Sequence, residues 1–238
     1  MNWLTRRKLR YKNQAIASFD QIRDRARTGD IILFHKTTRN GLLDALELDL
    51  ISPLVFTETE FRHCGIVVRK NRELYVMECA DELHSGHDAA KYLTKGTGVR
   101  LVPIETLLDA YNRDNGDPHF GIKYISQEIP ASKLETTLGE YESVNYLKMH
   151  KIAYIFLSNL VLPRKLHRRI VASFNDEMMC SEFVHSFLNK CGVLKDYPSK
   201  LFMPYYIENS EVFRRLEIVR YSEIMRFRYA RASTKGAA

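Results

Sequence analysis

The stretch Met178-Met179-Cys180-Ser181-Glu182-Phe183-Val184-His185-Ser186-Phe187-Leu188 decides how this chain is read. Asn175 and Asp176 precede it, Cys191-Gly192 closes it, and Phe183, Val184, Phe187 and Leu188 recur at helical spacing. The pattern predicts a buried helix that opens on a cysteine. Cys180, Val184 and Phe187 fall at i, i+4 and i+7, which puts the thiol on the same inward stripe as the core contacts. At a helix N-terminus the unpaired backbone N–H groups and the positive end of the dipole favour thiolate over thiol, and a nucleophilic cysteine is made in that way. Free cysteine is also among the most buried residue types, so a thiol on an apolar helix is equally an ordinary core residue. A base elsewhere in the chain has to decide between the two.

Two segments upstream supply a candidate. Arg62-His63-Cys64-Gly65-Ile66-Val67-Val68-Arg69 and Glu73-Leu74-Tyr75-Val76-Met77-Glu78-Cys79-Ala80 are apolar strands joined by the polar Lys70-Asn71-Arg72 region, a hairpin signature. An even loop puts His63 and Glu78 on one face, because side chains alternate along each strand, and an odd loop separates them. With a four-residue loop, Arg69 to Arg72, the two are directly opposite, and Cys64 and Cys79 share the other face. Gly65, two residues from His63 on the same face, is expected to leave room for an approach to the imidazole. Alone, His63 reads as a hydrogen-bonded core histidine. Glu78 changes that reading, because an unpaired carboxylate on an apolar strand costs several kcal/mol.

Length and composition set the frame. The 238 residues suit one well-buried core, and 45% hydrophobic residues with 12 Phe, 13 Tyr and only 7 Pro mark a globular chain. The net charge of +7 is concentrated at the ends. Residues 1–28 carry eight Lys/Arg against two acids, residues 213–238 seven against two, and the interior is net acidic. Such ends suit solvated helices or an anionic membrane surface, and the thin aromatic interleaving speaks against a specific nucleic-acid partner. No apolar run reaches the roughly 18 residues of a membrane span, and Met1 to Lys8 lacks a signal-peptide core, so a cytoplasmic or peripheral-membrane location is expected. Cys64, Cys79, Cys180 and Cys191 have no metal-ligand spacing and suit free thiols in a reducing compartment.

Along the chain, residues 13–27 predict a helix ended by Thr28-Gly29-Asp30, and Ile31-Ile32-Leu33-Phe34 a buried strand. Leu42 to Leu50 predict a short helix broken at Pro53. Residues 81–98 read as loop, and Val99-Arg100-Leu101-Val102 as a strand. Pro103 starts a helix through Tyr111, and Phe120 to Ile125 is a further strand. Residues 130–174 read as helical, with Ile152 to Leu162 either a core helix or an interfacial segment beside Arg164-Lys165 and Arg168-Arg169. The basic C-terminal tail ends Ala230 to Ala238 without a packing pattern.

Taken together these segments resemble the circularly permuted branch of the NlpC-type papain-like superfamily, close to the YiiX/YebB-like peptidase/amidase group. The resemblance is carried by Thr28-Gly29-Asp30-Ile31-Ile32-Leu33-Phe34, Arg62-His63-Cys64-Gly65-Ile66-Val67-Val68, Tyr75-Val76-Met77-Glu78-Cys79, Val99-Arg100-Leu101-Val102-Pro103-Ile104 and Cys180-Ser181-Glu182-Phe183-Val184. Histidine precedes cysteine in this order, the reverse of papain. Met203-Pro204 leading into Phe213-Arg214-Arg215-Leu216-Glu217-Ile218-Val219 looks like that group's closing loop and strand. The resemblance implies an α+β, permuted papain-like fold with an antiparallel sheet packed against the nucleophile helix. It implies Cys180 as nucleophile, His63 as base and Glu78 as the third polar residue. It divides the chain into a basic N-terminal helix (1–28), a papain-like domain (29–219) with a helical insertion (130–175), and a basic tail (220–238).

The expected activity is a cysteine hydrolase acting on an amide or ester through a thioester, with an acyl amide, peptide or lipid substrate and no cofactor. The backbone N–H of Cys180, at the helix start, is the expected oxyanion donor. Two further readings stay open. One is a lipid-directed acyl hydrolase or acyltransferase at an anionic membrane, as in the related lecithin retinol acyltransferase. The other is a non-catalytic binding module with an unreactive Cys180. His84-Ser85-Gly86-His87-Asp88 offers two imidazoles and a carboxylate but lacks further metal ligands at diagnostic spacing, so no metal is expected.

Overall fold

The computed structural model describes residues 16–35, 61–81, 97–115, 119–141, 143–147, 161–174, 176–197 and 204–230, with isolated positions at 151, 154, 155, 158 and 202. The basic residues of the extreme N-terminus, Leu42 to Pro53, the loop with His84 and His87, most of Ile152 to Leu160, Met203 and the end of the tail lie outside them.

The chain forms a mixed α+β structure around a seven-stranded sheet. Its strands are β1 (Ala17–Ser18), β2 (Ile31–Phe34), β3 (His63–Lys70), β4 (Glu73–Asp81), β5 (Thr97–Pro103), β6 (Phe120–Lys123) and β9 (Met225–Arg228), in the order β1-β9-β6-β2-β3-β4-β5. Every pairing is antiparallel except β1 with β9. A separate parallel pair joins β7 (Asn145–Tyr146) and β8 (Glu177–Met178) just before the cysteine helix.

Both faces of the sheet are covered, which explains why β2 and β3 read as nearly unbroken apolar runs. On one face, Ile32, Phe34, Val67, Val76 and Val102 pack with helix α1 (Phe19–Arg25) and helix α2 (Ile104–Asn115) through Phe19, Ile22, Ile104, Leu107, Leu108 and Tyr111. On the other, Leu33, Cys64, Ile66, Met77 and Cys79 pack with helix α5 (Cys180–Lys190) through Cys180, Phe183, Val184 and Phe187. Helices α3 (Ala131–Gly139) and α4 (Arg164–Ala172) occupy part of the segment expected as helical, and Leu134 of α3 joins the α5 side of the core. Helices α6 (Pro204–Glu208) and α7 (Ser210–Leu216) follow α5.

Four expectations meet a different arrangement. Of the described residues in the segment 13–27, Phe19–Arg25 form the helix and Ala17–Ser18 are instead the edge strand β1. Ser18 caps α1 with Gln21 in a reciprocal capping box, so the helix starts where its cap residue stands. Phe213 to Leu216, expected as loop and strand, belongs to α7, capped by the Asn209 side chain on the N–H groups of Glu211 and Val212. Residues 220–230 were expected as tail, yet Met225–Arg228 forms β9, which pairs with β6 and β1 and buries Phe227. The last difference is the hairpin loop, which holds two residues. Lys70 pairs with Glu73, and Asn71 and Arg72 turn at φ 51° and 70°. Both lie in the left-handed region that a tight two-residue hairpin turn demands.

Candidate functional site

The site is assembled where the first residue of β3 meets the first residue of α5. Helix α5 opens at Cys180, so the thiol takes the end of the dipole, and Glu182 lies in the first turn, its carboxylate accepting from the Met179 backbone N–H at 3.4 Å. The helix closes where expected. Gly192 takes a left-handed φ of 74°, and the N–H of Val193 returns to the carbonyl of Leu188 at 2.8 Å.

Even loop parity keeps His63 and Glu78 on one face, as the alternation argument requires, while the shorter loop slides the register. Ile66 pairs with Met77, so the position beside Glu78 on β3 is Gly65 and His63 is diagonal to it. His63 Nε2 still reaches Glu78 Oε2 at 2.6 Å. Gly65 has a role other than leaving an approach open. A Cβ at Gly65 would stand 2.5 Å from Val76 Cγ1 and 3.3 Å from Glu78 Cβ, so the glycine gives the wall of the site its close fit.

Glu78 is wholly buried and carries a second partner that sequence reasoning missed. Arg100, directly across the β4–β5 ladder and 4% exposed, donates Nε to Glu78 Oε1 at 2.7 Å and binds the same oxygen through Nη2. The sequence did hold a signal. An arginine inside Val99-Arg100-Leu101-Val102 needs an anion if it faces inward, and Glu78 stands on the neighbouring strand. Burial raises the carboxyl's pKa, but Arg100 and then His63 outweigh it and keep Glu78 ionised below its ordinary value.

Cys180, 5% exposed, packs on the α5 face of the sheet with Cys64, and the charges of Cys180 and His63 act on each other. The Cys180 pKa lies well below that of an ordinary thiol. The Cys64 hydrogen bond is the largest cause, burial opposes it, and the charge and hydrogen bond of His63 add to the lowering. Burial also works against a charged His63, yet the Cys180 and Glu78 charges hold the ring up to about 10. Cys64 is pushed the other way, chiefly by burial, and so stays a thiol that donates to the Cys180 sulfur. With Nε2 committed to Glu78, Nδ1 is the ring nitrogen left for Cys180. The row Arg100, Glu78, His63, Cys180 thus alternates in charge and sums to neutrality, the condition under which buried ions are tolerated. Phe34 and Tyr111 flank the imidazole, with ring centroids 5.6 and 6.4 Å from it.

Such an arrangement favours a thiolate on Cys180 and a proton on His63, whose ring Glu78 orients, and these are groups that nucleophilic catalysis uses. Among the described residues no group of three or more His, Cys, Asp or Glu side chains is arranged to hold a metal. Among them, too, no helix is long and apolar enough to cross a membrane.

No family model matches the chain. The solved structure of yiiX, a metalloprotein of Escherichia coli O157:H7, aligns with 84% of this chain and 88% of its own at 16% identity and a TM-score of 0.39, a likeness too loose to carry an argument. A protein of Acanthamoeba polyphaga mimivirus, described as "Uncharacterized protein R372", is 33% identical over 224 residues, which span 90% of this chain and 87% of that one. The chain belongs to the same family as this mimivirus protein.

Proposed function

We propose that the protein is a cysteine-dependent acyl hydrolase or acyltransferase of the permuted papain-like (NlpC) type, with Cys180 as nucleophile, His63 as acid and base, and Glu78 as its orienter. One observation carries the reading: the strand histidine His63, held 2.6 Å from the buried Glu78 carboxylate, acts by its charge on Cys180 at the start of α5. The permuted assignment rests on chain order, with the histidine strand ahead of the cysteine helix.

In the reaction the Cys180 sulfur attacks the acyl carbonyl and the C–O or C–N bond breaks. The leaving group takes the proton from His63, and the acyl group remains as a thioester. Water or another acceptor then attacks the thioester and gives its proton to His63, which regenerates thiolate and imidazolium. The Cys180 backbone N–H is free of intrahelical pairing and serves the developing oxyanion. Arg100 positions Glu78 and so acts through it.

A screen of acyl esters, acyl amides and peptidoglycan-type peptides by intact mass tests the reading. A covalent acyl adduct is expected on the wild type and absent from Cys180→Ala. Equal adducts on both proteins, or none with any acyl class, leave the binding-module reading in its place.

The membrane-directed form of the activity draws on exposed apolar side chains around α4. Val161 is 74% exposed and Leu166 43%, next to the exposed Lys165 and Arg169. Co-sedimentation with anionic liposomes, strong at low salt and weak at high salt, is the expected result.

A further inference from the structure

On the α5 face of the sheet, Leu33 pairs with Cys64, which packs in the same core cluster as Cys180. His35 lies two residues beyond Leu33 on the same face, about 7 Å along the strand direction. Its backbone N–H donates to the His119 carbonyl at 3.2 Å, and the two imidazoles stack with centroids 5.8 Å apart. Gly121 pairs with Leu33 on one side and with Arg226 on the other, so Arg226 shares this face, and its guanidinium lies 5.8 Å from the Phe61 ring centroid.

The cluster joins two imidazoles and two guanidiniums with the Glu208 carboxylate near them. Nδ1 of His35 and Nδ1 of His119 are both buried with no hydrogen-bond partner among the described residues. After burial itself, His119, Arg62 and Arg226 all act against a positive charge on His35, and only the Glu208 carboxylate acts for it. Two guanidiniums beside two imidazoles disfavour a metal cation. They favour an oxyanion, because each imidazole can present its unpartnered Nδ1 as an N–H and the guanidiniums add positive charge beside it.

We propose that His35, His119, Arg62 and Arg226 form an anion subsite next to Cys180 that takes a phosphate or carboxylate group of the acyl substrate. The word substrate rests on the thiol-site reading above, while the binding of an anion does not. An anionic group held here lies on the thiolate's side of the sheet, about two residues from the row of Cys64. The selected substrates are therefore acyl compounds whose negative charge sits a few bonds from the scissile carbonyl. A tetrahedral phosphate and a planar carboxylate present the same oxygens to these donors, and direct titration separates them.

The test uses the full chain as Cys180→Ala, labelled with 15N-histidine, titrated with inorganic phosphate, with acetate, and with chloride as the ionic-strength control. Saturable shifts of the His35 and His119 ring nitrogens with one common affinity are expected. Stronger binding of phosphate assigns a phosphoryl group, and stronger binding of acetate a carboxylate. Arg226→Gln is expected to weaken the better anion about tenfold or more, the loss of one charge-assisted hydrogen bond. Shifts that follow chloride equally, or that never saturate for either anion, overturn the subsite. Because the wild-type rings at Cys180→Ala report the binding directly, a poorly folding Arg226 variant does not obscure the result. Absence of an acyl adduct on Cys180 defeats the thiol-site reading and leaves this titration unaffected.

Discussion

Glu78 faces Arg100 squarely across the β4–β5 ladder, and it holds His63 only on the diagonal. The carboxylate is thus fixed by the guanidinium first and presents its second oxygen to the imidazole. Removing one member of this buried pair leaves the other charge uncompensated. Arg100→Met and Glu78→Gln are each expected to cost about 3–5 kcal/mol of stability. The double variant should cost less than their sum by a kcal/mol or more, as pairs in direct contact do. Urea denaturation of the four proteins measures this. Additive losses would mean that the two side chains do not act on each other.

Gly65 sits where the diagonal reach passes. A Cβ there meets Val76 Cγ1 at 2.5 Å and the Met77 backbone oxygen at 3.0 Å, and the oxygen cannot step aside as a side chain can. Gly65→Ala is expected to cost about 1–3 kcal/mol, seen as a Tm lowered by about 2–4 °C per kcal/mol. Gly139 at the end of α3 is the contrast, with nothing within 4 Å of its built Cβ. Gly139→Ala should leave Tm unchanged or raise it, and an equal drop in both variants would remove the steric account.

Much of this site was legible because strand alternation is insensitive to an error of two residues. The four-residue loop and the actual two-residue turn at Asn71-Arg72 both keep His63 and Glu78 on one face, so the pairing survived although the register did not. The loop length was hidden because an arginine at φ 70° is an uncommon turn residue that gives no glycine signal. The cysteine helix was plain from its apolar period and its Cys191-Gly192 ending. β1 and β9 were missed for a different reason. Ala17–Ser18 is two residues long and Met-Arg-Phe-Arg alternates charge with apolar residues, so each is defined by its partner strand rather than by its own pattern. Arg100 was visible as a residue and silent as a partner, because only the β4–β5 register assigns it to Glu78.

The charge alternation has a consequence for stability against pH. His63 is held up to about 10 from an ordinary 6.5, and Cys180 well below an ordinary 9.0. Between those two ordinary values the folded pair carries its one proton on the ring and the unfolded pair carries its one proton on the sulfur. Proton counts are equal, so this pair contributes no slope from 6.5 to 9.0. Above the ordinary thiol value the unfolded chain gives up that proton while His63 keeps its own, and stability falls as pH rises through about 10. In Cys180→Ala burial still opposes the charged ring and the largest charge holding it up is gone, so the fall in stability near pH 10 should move to lower pH or vanish. Denaturant midpoints from pH 6 to 10 compare the two. Parallel curves would show that Cys180 and His63 do not share a proton in the fold.

The low pKa of Cys180 rests most on its neighbour Cys64, which donates to the sulfur and is kept a thiol by burial. An ordinary thiol loses alkylation rate about tenfold per pH unit below its pKa, because only the thiolate reacts. Cys180 should instead keep its rate nearly constant from pH 8 down to below pH 7, while Cys191, whose thiol burial pushes up, loses rate throughout that range. Intact-mass and peptide mapping after a short iodoacetamide pulse follows each site separately. Cys64→Ala withdraws the donor and leaves His63 in place, so the midpoint of Cys180 alkylation should move to higher pH without being abolished. His63→Gln, which removes the opposite charge as well as a hydrogen bond, should move it too, and the double variant should approach an ordinary cysteine. A Cys180 that loses rate with falling pH as Cys191 does would mean that the sulfur is a core thiol and not a nucleophile.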